Sequence, residues 1–128
     1  MYARAIYMLL TMVLAWQVWI VPCGPRPDKP SLRTPVFHRY IMCHLAVNTT
    51  FGARYPVKVC DFEVHQPKAL ATYHLMEQLK SKYPQNDFYF VIGTDLVHSI
   101  NEWPAEGVAD AGEKLVSENK FLVVNRPG

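Results

Sequence analysis

The apolar positions of this chain fall into short runs separated by proline- and glycine-rich turns, and their spacing changes from run to run. Ala5 to Cys23 is apolar with Gln17 as its one strongly polar residue. The first part of that run, roughly residues 3 to 15, suits a helix; the second, Val18-Trp19-Ile20-Val21, is β-branched and aromatic and suits a buried strand. Pro22, Gly24, Pro25, Pro27 and Pro30 then take the chain out into a loop. Thr34-Pro35 fits a helix start, Thr as N-cap and Pro at the first helical position. Phe37, Tyr40, Ile41, His44 and Leu45 follow at helical spacing and predict one buried stripe. Val57-Lys58-Val59-Cys60 reads as a short strand with Asp61 and Glu63 at its carboxyl end. Pro67 and Lys68 open a second helix, with Tyr73, Leu75, Met76 and Leu79 on its apolar face, and Tyr83-Pro84-Gln85-Asn86-Asp87 stops it. Phe88 to Ile92 is a strand run ending at Gly93, Pro104 to Gly112 a loop, Glu113 to Glu118 a single helical turn, and Phe121 to Val124 the last strand.

Four strand runs without polar alternation, interleaved with helical patterns, are what a parallel sheet covered by helices requires. The expected fold is therefore α/β, a doubly wound (Rossmann-like) parallel sheet with helices on both faces and right-handed crossovers, in a single domain. Ligands in such folds bind beyond the carboxyl ends of the strands, which points to Pro22–Lys29, Asp61–Glu63, Gly93–Asp95 and Arg126.

Composition narrows the classes. Of 128 residues, 50% are hydrophobic and 19% charged, enough apolar surface for a core and too little charge for a disordered chain. The net charge is +2 with no basic block, so the phosphate-gripping stripe of a nucleic-acid binder is lacking. Cys23, Cys43 and Cys60 have neither a CxxC spacing nor a partnered His pair, and read as reduced thiols. The five histidines include no i, i+4 pair for a metal. Met1 to Arg4 followed by the apolar run also reads as a signal peptide or short membrane anchor, with Asn48-Thr49-Thr50 then a glycosylation sequon. The run is at the short end for spanning and stops at Pro22, so the expectation is a cytoplasmic chain without a membrane partner. A small membrane-anchored or secreted protein is the alternative.

The strand ends carry an ordered set of motifs. Val18-Trp19-Ile20-Val21-Pro22 followed by Pro27-Asp28-Lys29 resembles the "VWxVP…PPHK" segment of nicotinate/nicotinamide-nucleotide adenylyltransferases. Arg39-x-x-Met42 with Leu45-Ala46 is similar to the family's next helix, and Asp61-x-Glu63 to its next strand end. Ile92-Gly93-Thr94-Asp95 with Trp103 beyond it resembles "IGxD…W", and Val123-Val124-Asn125-Arg126-Pro127-Gly128 resembles "VVxRPG". The resemblance implies adenylyl transfer from ATP to a pyridine mononucleotide, giving the dinucleotide and pyrophosphate, with magnesium and without a covalent enzyme intermediate. It implies Lys29 at the mononucleotide phosphate, Trp103 stacked on the pyridine ring, and Gly93 and Asp95 near the bound nucleotides. Thr72 matches one of the two threonines of the family's "SYTxxT". Asp28 stands where the family has His, and neither Ser nor Tyr accompanies Thr72. The family's Gly-rich turn ending in His-x-Gly-His and its later "SSTxIR" have no counterpart between Met1 and Gly128. The expected sheet is accordingly incomplete, lacking a first strand and a C-terminal part, with activity of this chain itself in question.

Without the resemblance each residue has a plainer reading. Lys29 is then a surface lysine, Trp103 a packing anchor, His44 a core histidine, and Asp61 with Glu63 a solvated strand end sharing one face. A mononucleotide-binding remnant without chemistry is the second functional alternative. An incomplete sheet also predicts an exposed apolar patch at a strand edge and along residues 3–15, and hence self-association.

Overall fold

The computed structural model describes residues 17–125, so the helix expected over 3–15 and Arg126 lie outside the described residues. The chain divides into two compact units, Met1–Leu70 and Ala71–Gly128.

In the first unit, β1 (Val18–Ile20), α1 (Val36–Thr50) and β2 (Val57–Val59) form a strand–helix–strand module. The two strands pair in parallel, Val18 opposite Val57 and Ile20 opposite Val59, and the Cys60 N–H extends the ladder to the Ile20 carbonyl at 2.8 Å. The second half of the apolar N-terminal run is thus a strand. No helix among the described residues is long and apolar enough to cross a membrane.

Helix α1 is capped by Pro35, not Thr34: Pro35 has ψ 145 and its carbonyl receives the Arg39 N–H at 3.1 Å, while no side chain caps the helix. Its buried stripe is also displaced from the one expected. Val47 and Phe51 are in the core with Val59, and Tyr40 and Cys43 pack against them. Phe37, Ile41, Met42 and Leu45 are exposed. The helical period alone does not say which of two partly apolar faces meets the strands; the pairing of β1 with β2 does.

The second unit holds α2 (Thr72–Lys82), β3 (Tyr89–Gly93), α3 (Ala111–Glu118) and β4 (Lys120–Val124). Strands β3 and β4 pair in parallel from Tyr89 opposite Lys120 to Gly93 opposite Val124. Met76, Ile92, Ile100 and Leu115 make the core, with Tyr73, Phe88, Phe90, Trp103 and Phe121 against it. Helix α2 starts at Thr72 rather than Pro67, because the backbone before it is engaged elsewhere: Ala69 N–H reaches the Pro25 carbonyl at 3.0 Å and Leu70 N–H a side chain at 2.7 Å. The strands are not buried on both faces as expected. Tyr89, Val91 and Val123 are exposed, whereas Ile92 is buried. Both modules are parallel α/β, the fold class expected, and every loop of interest leaves the carboxyl end of a strand.

Candidate functional site

Between β1 and α1 the chain runs through a proline-rich loop that carries Lys29. Lys29 is exposed and sits in tight turns, its N–H on the Arg26 carbonyl (3.0 Å) and its own carbonyl accepting from Leu32 (2.9 Å). The loop and the start of α1 line a concavity of about 620 Å³ in which Arg26, Lys29, Arg33 and Arg39 are the charged groups. Arg26 makes a two-bond contact to Asp28, Nε to Oδ1 at 2.8 Å and Nη2 to Oδ2 at 2.7 Å. This hydrogen-bonded pair holds the Asp28 carboxyl below the usual carboxylate range and the guanidinium above its own. Asp28, which replaces the family's His, is thereby directed to Arg26.

Arg39 grips both feet of this loop. Its Nη2 donates to the Gly24 carbonyl at 3.2 Å and its Nε to the Thr34 carbonyl at 3.1 Å, with Nη1 3.4 Å from the Cys23 sulfur. On the other side of Gly24, its N–H donates to Glu63 Oε1 at 3.3 Å, and the same oxygen accepts the Leu70 N–H at 2.7 Å. Glu63 is only 2% exposed. The solvated strand end expected for Asp61 and Glu63 is therefore corrected. β2 ends at Val59, the chain turns over 62–65 with Val64 N–H on the Asp61 carbonyl, and the two carboxylates part, Asp61 outward and Glu63 inward. Gly24 is required at the crossing: a Cβ there would lie 2.9 Å from the Lys68 carbonyl oxygen and 3.0 Å from the Ala69 nitrogen.

In the second unit, Thr72 is the first residue of α2 and half-buried. Gly93 ends β3 in ordinary extended backbone (φ −76, ψ 153), and Asp95 follows in the first turn of a short 3-10 segment, exposed. Trp103 closes the next 3-10 segment, its N–H on the Ile100 carbonyl at 3.2 Å, and its ring packs on the core while staying half-exposed. Gly112, in the first turn of α3, permits that segment to lie close: a Cβ would sit 2.2 Å from the Asn101 carbonyl oxygen and 2.8 Å from the Trp103 nitrogen. Gly93 thus ends β3 and Asp95 lies just past it, while Lys29 sits in the loop that follows β1. Glu63 and Gly24 lie in stretches the sequence singled out, but Glu63 read as half of a solvated pair, Gly24 as part of a loop exit and Gly112 as the end of a loop; that they hold the chain together shows only in the fold. Among the described residues, no group of three or more His, Cys, Asp or Glu side chains is placed to hold a metal ion. Cys23, Cys43 and Cys60 are free, and partial burial pushes the Cys43 thiol up.

Two parallel strand–helix–strand modules define a Rossmann-like α/β chain, and solved structures agree. Plasmodium falciparum nicotinic acid mononucleotide adenylyltransferase complexed with NaAD is similar at TM-score 0.71 and 28% identity, over 99% of this chain and 69% of that one. The same enzyme complexed with APC is similar at TM-score 0.68. A curated relative from Bacteroides fragilis, named "Probable nicotinate-nucleotide adenylyltransferase", is 40% identical over 115 residues, 88% of this chain and 51% of the relative. A relative of the same name from Shouchella clausii is 33% identical over 120 residues, 93% of this chain and 57% of the relative. No protein-family model matches. The chain belongs to the nicotinate-nucleotide adenylyltransferase family, and it spans about half the length of the curated relatives it matches.

Proposed function

We propose that this chain carries the mononucleotide side of an adenylyltransferase site in NAD biosynthesis, in the cytoplasm. The reaction joins a pyridine mononucleotide to ATP: a phosphate oxygen of the mononucleotide bonds to the α-phosphorus, the bond from that phosphorus to the β-phosphate oxygen breaks, and pyrophosphate leaves. The relatives' names favour nicotinate mononucleotide over the amide. No protein nucleophile is needed, so the contribution of the chain is positioning and charge neutralisation. Lys29 meets the mononucleotide phosphate, Trp103 offers an indole face to the pyridine ring, and Thr72 adds a hydroxyl. Gly93 lets the nucleotide approach the backbone while Asp95 accepts from its hydroxyls. Magnesium, which the family's use of ATP implies, would neutralise charge on the triphosphate oxygens.

The observation that carries this reading is the likeness to nicotinate-nucleotide adenylyltransferases over 88% of the chain, with Lys29 in the loop after β1 and Gly93 and Asp95 at the carboxyl end of β3. Calorimetric titration with nicotinate mononucleotide tests it. Saturable binding is expected, weakened about tenfold by Lys29→Ala, in line with loss of one charge-assisted phosphate contact. A flat titration to millimolar ligand overturns the reading. Where binding is seen, pyrophosphate release with ATP separates an enzyme from a module that binds the mononucleotide without chemistry.

A further inference from the structure

We propose that Arg39 and Glu63 are positioning residues for the mononucleotide phosphate, acting through the loop that carries Lys29; this rests on the reading of Lys29 given above. Neither side chain needs to touch the ligand. Arg39 binds the Gly24 and Thr34 carbonyls at once, at 3.2 and 3.1 Å, and so closes the loop at its two feet. Glu63 anchors the first foot from the opposite side, through the Gly24 N–H, and ties it to the Leu70 N–H two residues before Thr72 in the chain. Gly24 is thus held at both its peptide groups by side chains of opposite charge.

The clamp reaches Lys29 because the intervening chain is stiff. Pro25 and Pro27 lie between Gly24 and Lys29, and Pro30 follows. Each proline ring fixes one of the two soft dihedrals of its residue. The turn at Lys29 is closed by its bonds to Arg26 and Leu32 and flanked by the Arg26–Asp28 pair. A displacement at Gly24 is therefore passed along the backbone to Lys29, and with it to the point from which the Lys29 side chain reaches the phosphate. Glu63 is the one charged side chain buried among the described residues. Sheltered acceptors and donors of this kind lose more when unmade than exposed ones. Arg39 cannot be replaced by lysine in this role, because a single ammonium does not reproduce a fork that spans two carbonyls.

A double-mutant cycle in the full chain, read by calorimetric titration with nicotinate mononucleotide, tests the proposal. In the wild type Lys29→Ala is expected to weaken binding about tenfold. Arg39→Lys alone is expected to weaken it by a similar factor, about tenfold, and the further cost of Lys29→Ala on that background is expected to fall to about twofold or less. Equal cost of Lys29→Ala on both backgrounds overturns the proposal, because a residue that serves stability alone has no reason to couple to Lys29. If Arg39→Lys does not fold, the same cycle is run with Glu63→Gln, which keeps a carbonyl acceptor and is expected to lose less than Glu63→Ala. Equal losses for Gln and Ala, or additivity with Lys29→Ala, overturn the role of Glu63. A wild-type chain that binds nothing overturns the reading of Lys29 and this proposal with it, and that outcome is distinct from binding with additive variants.

Discussion

Asp28 shows how a loop residue is defined by its partner. Where the family places a histidine, a carboxylate here faces the Arg26 guanidinium at 2.7 Å, and the pair shields one positive charge of a basic concavity while leaving Lys29 exposed. Hydrogen bonding to Arg26 holds the Asp28 carboxyl below its ordinary range. A group whose folded value is depressed favours the folded state above its unfolded value and loses that contribution as pH falls through the folded one. The Arg26–Asp28 contact should therefore persist to a lower pH than an unpaired aspartate would allow. Carbon-detected NMR titration checks it: the Asp28 midpoint should lie below the ordinary aspartate range and move up in Arg26→Ala. An unshifted midpoint in both chains would show that the pair is not formed in solution. At this scale the sequence was legible by type and not by partner. Lys29 is legible only through the motif it completes with Pro27 and Asp28, and Glu63 looks like one of two equivalent carboxylates with Asp61 until the turn after Val59 sends it inward.

At the level of elements, the strand runs were read nearly to the residue, and the helices less well. A strand run is recognised by composition alone, whereas a helix also needs its buried face chosen. Helix α1 has apolar residues on more than one face, and β1 with β2 select Tyr40, Cys43 and Val47 over Phe37, Ile41 and Leu45. Two phenylalanines at its ends make the distinction measurable. Phe51 is 8% exposed in the core, its ring centroid 6.0 Å from that of Tyr55, while Phe37 is 58% exposed. Phe51→Ala should cost about 3 kcal/mol of stability, the range for emptying a buried aromatic site. Phe37→Ala should cost less than about 0.5 kcal/mol. Urea denaturation of both variants decides the register, and equal costs would return α1 to the face expected from the sequence. The start of α2 is a second lesson of this kind: Pro67-Lys68 is a good helix opening locally, but Ala69 and Leu70 give their N–H groups to Pro25 and Glu63 and hold the chain extended to Thr72.

On the scale of the whole molecule, Phe37, Ile41, Met42 and Leu45 leave an apolar strip of α1 in solvent, and Tyr89, Val91 and Val123 are exposed on the β3–β4 pair. Exposed apolar strips of this kind promote association. Light scattering across a concentration series should show growing mass, and Phe37→Glu with Leu45→Glu should reduce it; a constant monomer mass in the wild type removes the expectation. The order of elements over the described residues, the parallel α/β class and the family are all legible in the chain alone. These follow from hydrophobic runs, turn residues and motif order, all local in the chain. What only the tertiary structure decided is the buried face of α1, the late start of α2, the inward turn of Glu63, and the clamp of Arg39 and Glu63 on Gly24. Each depends on hydrogen bonds or packing that join separate parts of the chain, such as Arg39 with Gly24, 15 positions apart, and Gly24 with Glu63, 39 apart. No periodicity or propensity carries information about such pairs, because the energy of a buried contact depends on which partner arrives and not on the neighbours along the chain.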